Sequence, residues 1–99
     1  MAGQGTSTID FGAFPGSSDT SLAVSVPSIA ANSLVEAWVF PTATTDHSAD
    51  EHIAEPPLIL AGNVQAGVGF TIYARNRSVP ASADGDRSYG QWTVAWVWN

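Results

Sequence analysis

Ninety-nine residues make one small domain, a size that buries roughly 60–68% of the surface its unfolded chain exposes. Hydrophobic residues are 44% of the chain and charged residues only 12%, with a net charge of −6. The basic side chains are Arg75, Arg77 and Arg87, too few for the phosphate neutralisations that nucleic-acid binding needs, and an anionic membrane surface is disfavoured for the same reason. No cysteine is present, so disulfides and thiolate metal sites are excluded. No apolar run approaches the ~18 residues of a membrane-spanning helix, and residues 1–6 carry neither the basic nor the apolar part of a signal peptide.

Taken in order, residues 1–6 (Met-Ala-Gly-Gln-Gly-Thr) read as a flexible N-terminal arm, and 7–99 as a single domain. Ser7 to Phe11 forms a first short strand with Ile9 and Phe11 on one face. Gly12 to Asp19 is turn chemistry, with Pro fixing φ, Gly permitting positive φ and Asp available for an Asx turn. Thr20 to Val26 alternates, Leu22, Val24 and Val26 facing in, until Pro27 breaks it. Ser33 to Phe40 is apolar on both faces, and Glu36 falls on the side of Leu34, Trp38 and Phe40, so that side is at least partly wet. Pro57 to Ala61 is a short apolar run, and residues 62–67 connect it to a strand over Val68 to Arg75. Asn76 to Gly90 reads as a long exposed loop or hairpin tip.

The closing stretch Gln91 to Asn99 organises the rest. Trp92, Val94, Trp96 and Trp98 share one face, which places three of the four tryptophans on one side of one strand. Each can bury roughly 150–250 Å². Such a strand must sit against a second layer, its own protein's or a neighbour's. Five or six strands with frequent turn signals indicate an all-β fold, a small antiparallel β-sandwich of Ig-like or jelly-roll-like Greek-key type.

One segment invites a chemical reading. Thr45 to Glu55 holds both histidines and four of the nine acids. His47, Asp50 and His52 are candidate metal ligands, since imidazole and carboxylate suit zinc or a harder divalent ion. Their spacing argues against it, because helical ligand pairs sit at i and i+4 whereas His47 and His52 are five apart. A capping box explains the segment better, with Ser48 as N-cap, Glu51 at the third helical position, and Pro56 and Pro57 as the stop. Nucleophilic catalysis finds no G-x-S-x-G elbow and no thiol. Gly62 and Gly67 have phosphate-loop spacing, but Val68 stands where that loop needs lysine. Asn76-Arg77-Ser78 is a glycosylation sequon with no secretion signal to make use of it. The reading is therefore of a chain that is not an enzyme, with no catalytic residues and no cofactor.

Two surface readings remain. Trp38 and Phe40, with Tyr73 and Tyr89, are a candidate platform for stacking on sugar rings. Alternatively Trp38, Phe40, Trp92, Trp96 and Trp98 serve a protein interface. Acids concentrate in 46–55 and every arginine lies in 75–87, so in a ring or lattice the acidic loop of one copy can meet Arg75, Arg77 and Arg87 of the next.

Several stretches carry a resemblance: Asp10-Phe11-Gly12-Ala13-Phe14-Pro15-Gly16, Val35-Glu36-Ala37-Trp38-Val39, Asp46-His47-Ser48-Ala49-Asp50-Glu51-His52, Gly69 to Ala74 and the Trp-Val-Trp-Asn ending. Through them, from about residue 7 onward, the chain resembles small virion structural proteins of tailed bacteriophages and prophages. The resemblance implies a capsid decoration or tail-associated subunit, built as a β-sandwich. Such a subunit is present in many copies or as a homo-oligomer, has major capsid or tail proteins as partners, and is located in the virion after synthesis in the bacterial cytoplasm. It supplies no catalytic residues. The alternative is a receptor- or glycan-binding module of a phage particle.

Overall fold

A computed structural model describes residues 2–14, 16–54, 56–76 and 88–99. Its elements are β1 (Gly3–Asp10), β2 (Asp19–Ser25), β3 (Val35–Val39), α1 (Ala49–Ala54), β4 (Leu58–Gln65), β5 (Gly69–Arg75) and β6 (Gln91–Trp98). They form two three-stranded antiparallel sheets, ordered β1-β6-β3 and β2-β5-β4. The sheets pack face to face as a small all-β sandwich, with β1 nearest β2 along one side and β3 nearest β4 along the other. Only β4 and β5 form a hairpin among these elements; the other connections cross between sheets.

The tryptophan strand β6 is the middle of its sheet, and its alternation decides which side is inside. Trp92 and Val94 face the core with Trp98, against Ile9 of β1 and Phe70 and Ile72 of β5. Trp96 is half-buried and meets Phe70 edge-on at 5.6 Å. Alternation places Phe70, Ile72 and Ala74 opposite them, all buried.

The N-terminal segment is not a loose arm. Residues 3–6, expected to precede the first strand, are paired with β6 from Gly3↔Trp98 onward, so β1 begins four residues earlier than Ser7. The indoles explain the glycines. A side chain at Gly3 would collide with the Trp98 ring, and one at Gly5 would place its Cβ 2.5 Å from Trp96 Cζ2. Trp96 Nε1 also donates to Ser7 Oγ at 3.0 Å. Glycine at these two positions lets aromatic rings lie across the edge strand. Gly5→Ala is accordingly expected to cost about 1–3 kcal/mol by overpacking, measured by urea unfolding.

Two smaller differences have local causes. The strand expected to end at Ala61 runs to Gln65, crossing an irregularity between Gly62 and Gln65 where Asn63 adopts φ 53°. Asn tolerates that left-handed conformation. At the start of β5, Gly69 has φ 149° and presses its α-carbon against the carbonyl of Val24, where a Cβ has no room.

Candidate functional site

The outer face of the β1-β6-β3 sheet is set by the same registers. Cross-strand rows there run Gln4–Val97–Glu36, Thr6–Ala95–Trp38 and Thr8–Thr93, with Phe40 continuing the β3 column beside Thr93. The face thus has a hydroxyl-rich column, a column of small or branched residues, and an aromatic column. Trp38 is 42% exposed and Phe40 43%. At the end of the sheet the face runs into an open, mainly apolar hollow of about 640 Å³ lined by Leu34, Glu36, Val97, Trp98 and Asn99 among others. Leu34 is 76% exposed, so an apolar strip runs along β3 from Leu34 to Phe40, interrupted by Glu36.

The histidine segment is built differently. Ser48 and Glu51 form the expected capping box: Glu51 N–H donates to Ser48 Oγ at 3.2 Å, and Ser48 N–H donates to Glu51 Oε1 at 3.0 Å. The short helix that follows is α1. A Ser48→Ala substitution removes one reciprocal bond and is expected to cost about 1 kcal/mol in denaturant unfolding. The backbone N–H of Ser48 and the His47 ring together hold the Glu51 carboxyl below its usual range. Because the folded value is lowered, the associated stability is present above the usual carboxylate range. It is lost as pH falls through the lowered value. Glu51→Gln should therefore flatten the acid limb of the stability-against-pH curve, which thermal melts at stepped pH will read.

This loop is clipped to the start of β6. Thr44 Oγ1–H donates to Gln91 O at 2.7 Å, and Asp46 Oδ2 accepts from Gln91 N–H at 2.8 Å. His47, buried to 4% exposure, lies parallel to Trp92 at 3.9 Å. Its Nδ1 is 3.1 Å from Glu51 Oε2 and its Nε2 2.5 Å from Tyr89 O. His52, 1% exposed, meets Trp92 edge-on at 5.0 Å. Its Nδ1–H donates to Ser48 O at 2.7 Å and its Nε2 accepts from Thr93 N–H at 3.0 Å. That partner set assigns the Nδ1–H tautomer.

The reason for the last bond lies in β3. Phe40 N–H donates to Thr93 O, the final rung on that side. The Phe40 carbonyl that would complete this rung accepts instead from Thr42 N–H at 2.7 Å, and the Thr93 N–H needs another acceptor. A buried imidazole supplies it. Long-range ¹H–¹⁵N spectra should show His52 with its proton on Nδ1.

These positions decide the sequence expectations residue by residue. All four ring nitrogens of His47 and His52 are engaged within the chain, and Asp50 is exposed outside that network. Among the described residues no group of three or more His, Cys, Asp or Glu side chains is arranged to hold a metal ion. His47 and His52 pack as structural wedges against Trp92, and Asp50 is a surface acid.

The tryptophans divide. Trp92 and Trp98 are buried in the chain's own core, so the second layer they meet is the protein's own, and the half-buried Trp96 lies across β1. Trp38 and Phe40 lie on the surface. The four-ring sugar platform is not assembled. Tyr73 is on the outer face of the other sheet beside Leu60, while Tyr89 packs on His47 at 4.7 Å and Phe14 at 5.3 Å.

Arg75 is exposed at the end of β5, in register with Asp19 and Leu58. Arg77 and Arg87 lie outside the described residues. Asp46 and Glu51, two acids of the loop expected to meet a neighbour's arginines, are tied to their own chain. The hydroxyl column formed by Thr6 and Thr8 does not follow from a strand that starts at Ser7; its signal in the sequence is the alternation of Gln4, Thr6 and Thr8 with glycine and serine.

No protein-family model, no curated protein and no solved structure matches this chain.

Proposed function

We propose that the chain is a non-enzymatic structural protein of a tailed-bacteriophage virion. In this reading it is a capsid decoration or tail-associated subunit that adheres to major capsid or tail proteins and is present in many copies. The observation that carries the adhesive part is the outer face of the β1-β6-β3 sheet. Two aromatic rings, Trp38 and Phe40, stay more than two-fifths exposed there while the other three tryptophans are committed to the core or to β1. Glu36 is the one charged side chain in the rows Gln4–Val97–Glu36, Thr6–Ala95–Trp38 and Thr8–Thr93, with Asp10 in the next row beyond Thr8, so apolar and hydroxyl groups dominate the surface around the rings. The virion placement rests on the resemblance in sequence.

The test combines location and surface. Mass spectrometry of purified particles should find the chain at many copies per particle. A Trp38→Ser/Phe40→Ser variant should fold with an unchanged circular dichroism spectrum and fail to incorporate. Full incorporation of that variant would sink the docking face, and absence of the wild-type chain from particles would sink the placement.

A second reading has its own observation. Thr6, Thr8 and Thr93 hydroxyls share the face with Trp38 and Phe40, the combination of ring and hydroxyl that suits a neutral glycan. It requires glycan quenching of tryptophan fluorescence in the isolated protein, which the structural reading does not.

A further inference from the structure

Strand β1 is an eight-residue edge strand. Phe11 N–H donates to Gly90 O, which fixes the parity of the ladder: odd-numbered residues of this segment turn their backbone groups toward β6. Gln4, Thr6, Thr8 and Asp10 therefore present their N–H and C=O groups to the open side, and among the described residues no strand pairs with them.

Sheet edges are normally defended by charge, proline, bulges or brevity. The other edge of this sheet, β3, has five residues and is followed by Pro41. On the same side of the sandwich as β3, β4 carries the irregularity between Gly62 and Gln65. Strand β1 has none of these defences: its sequence is Gly-Gln-Gly-Thr-Ser-Thr-Ile-Asp, regular in register and uncharged until its last residue. Its neighbour β2, along the same side, is likewise uncharged after Asp19.

We propose that this edge pairs with the same edge of a second copy, joining the two β1-β6-β3 sheets into one continuous sheet about a twofold axis. The edge is self-complementary. In the antiparallel register centred on Ser7, Thr6 lies opposite Thr8 of the second copy and Gln4 opposite its Asp10. No two carboxylates then face each other across the junction despite the chain's net charge of −6. The inner side is prepared as well. Gly5 has no side chain, and the half-buried Trp96 indole lies across it with its Nε1 held by Ser7. A strand added outside β1 places the Ile9 backbone of the second copy opposite Gly5, while the Ile9 side chain stays in its own core. The pairing lies on a different part of the molecule from the Trp38 and Phe40 face, so both can be occupied together.

Sedimentation equilibrium from micromolar to millimolar protein, with backbone amide exchange followed by NMR, tests the pairing. The wild type should reach twice the chain mass of 10.3 kDa, with the Thr6 and Thr8 amides gaining protection as concentration rises. Thr8→Pro removes an outward N–H that no bond within the sheet uses, and Thr6→Lys adds the charge that edges ordinarily carry. Both variants should stay monomeric with unchanged circular dichroism, and either serves if the other fails to fold. A wild type that remains monomeric throughout overturns the proposal. So does a dimer that persists in the folded variants or leaves the Thr6 and Thr8 amides unprotected.

Discussion

Trp92→Ala is expected to lower the free energy of unfolding by about 4 kcal/mol, a large share of the ~5–15 kcal/mol available to a domain of this kind. The ring occupies the junction of the two sheets and the histidine loop, at 4% exposure. Truncation leaves a cavity where the indole stood and removes the surface on which His47 stacks and His52 abuts. The loop should loosen with the core, so amide exchange at Asp46 to His52 should accelerate beyond what global destabilisation explains. Trp92→Phe separates packing from polarity. The Trp92 Nε1–H is buried without a hydrogen-bond partner among the described residues, a burden of about 1–3 kcal/mol that phenylalanine does not carry. Phenylalanine should therefore cost far less than alanine. Equal losses for the two variants, measured by urea unfolding, would show that the indole contributes little through its packing.

His52→Leu is expected to cost about 2–3 kcal/mol although it preserves an apolar side chain of similar bulk. Leucine cannot accept from Thr93 N–H or make the second, side-chain bond to Ser48 O; the backbone N–H of residue 52 still reaches that carbonyl, but the Thr93 N–H is left unpaired beside a site that is 1% exposed. Glutamine carries a carbonyl and an amide, and His52→Gln should recover part of the loss if its amide can span the same two partners. A leucine variant as stable as wild type would mean that Thr93 finds another acceptor, and the assigned role of the imidazole would be wrong.

How far the chain could be read without coordinates varies by element, for physical reasons. The alternation in β2, β5 and β6 is strong, and those strands fall within a residue or so of their expected bounds. The capping box was legible because it is local: Ser48 and Glu51 need only each other. The start of β1 was not, since Gly3-Gln4-Gly5 has poor strand propensity and belongs in a strand only because two indoles from β6 need the space. Nor was the fate of the tryptophans. Alternation groups Trp92, Trp96 and Trp98 on one face, but whether that face meets the chain's own second sheet depends on the strand order β1-β6-β3, which no local pattern encodes. His52 was hardest of all. Its role depends on the amide of Thr93, far away in sequence, so the histidine looks like a ligand until that amide is seen beside it.

The position of β6 between β1 and β3 has a kinetic side. The β4–β5 hairpin and its neighbour β2 can pair without β6, but among the described residues β1 and β3 have no partner in their own layer until residues 91–98 join them. Until then the folding chain carries two unpaired strands, and closing Gly3 onto Trp98 brings together residues 95 positions apart. Such long-range closure makes acquisition of structure slow and late. During that interval the inward residues of β3, Val35, Ala37 and Val39, stand open to misassembly with other chains.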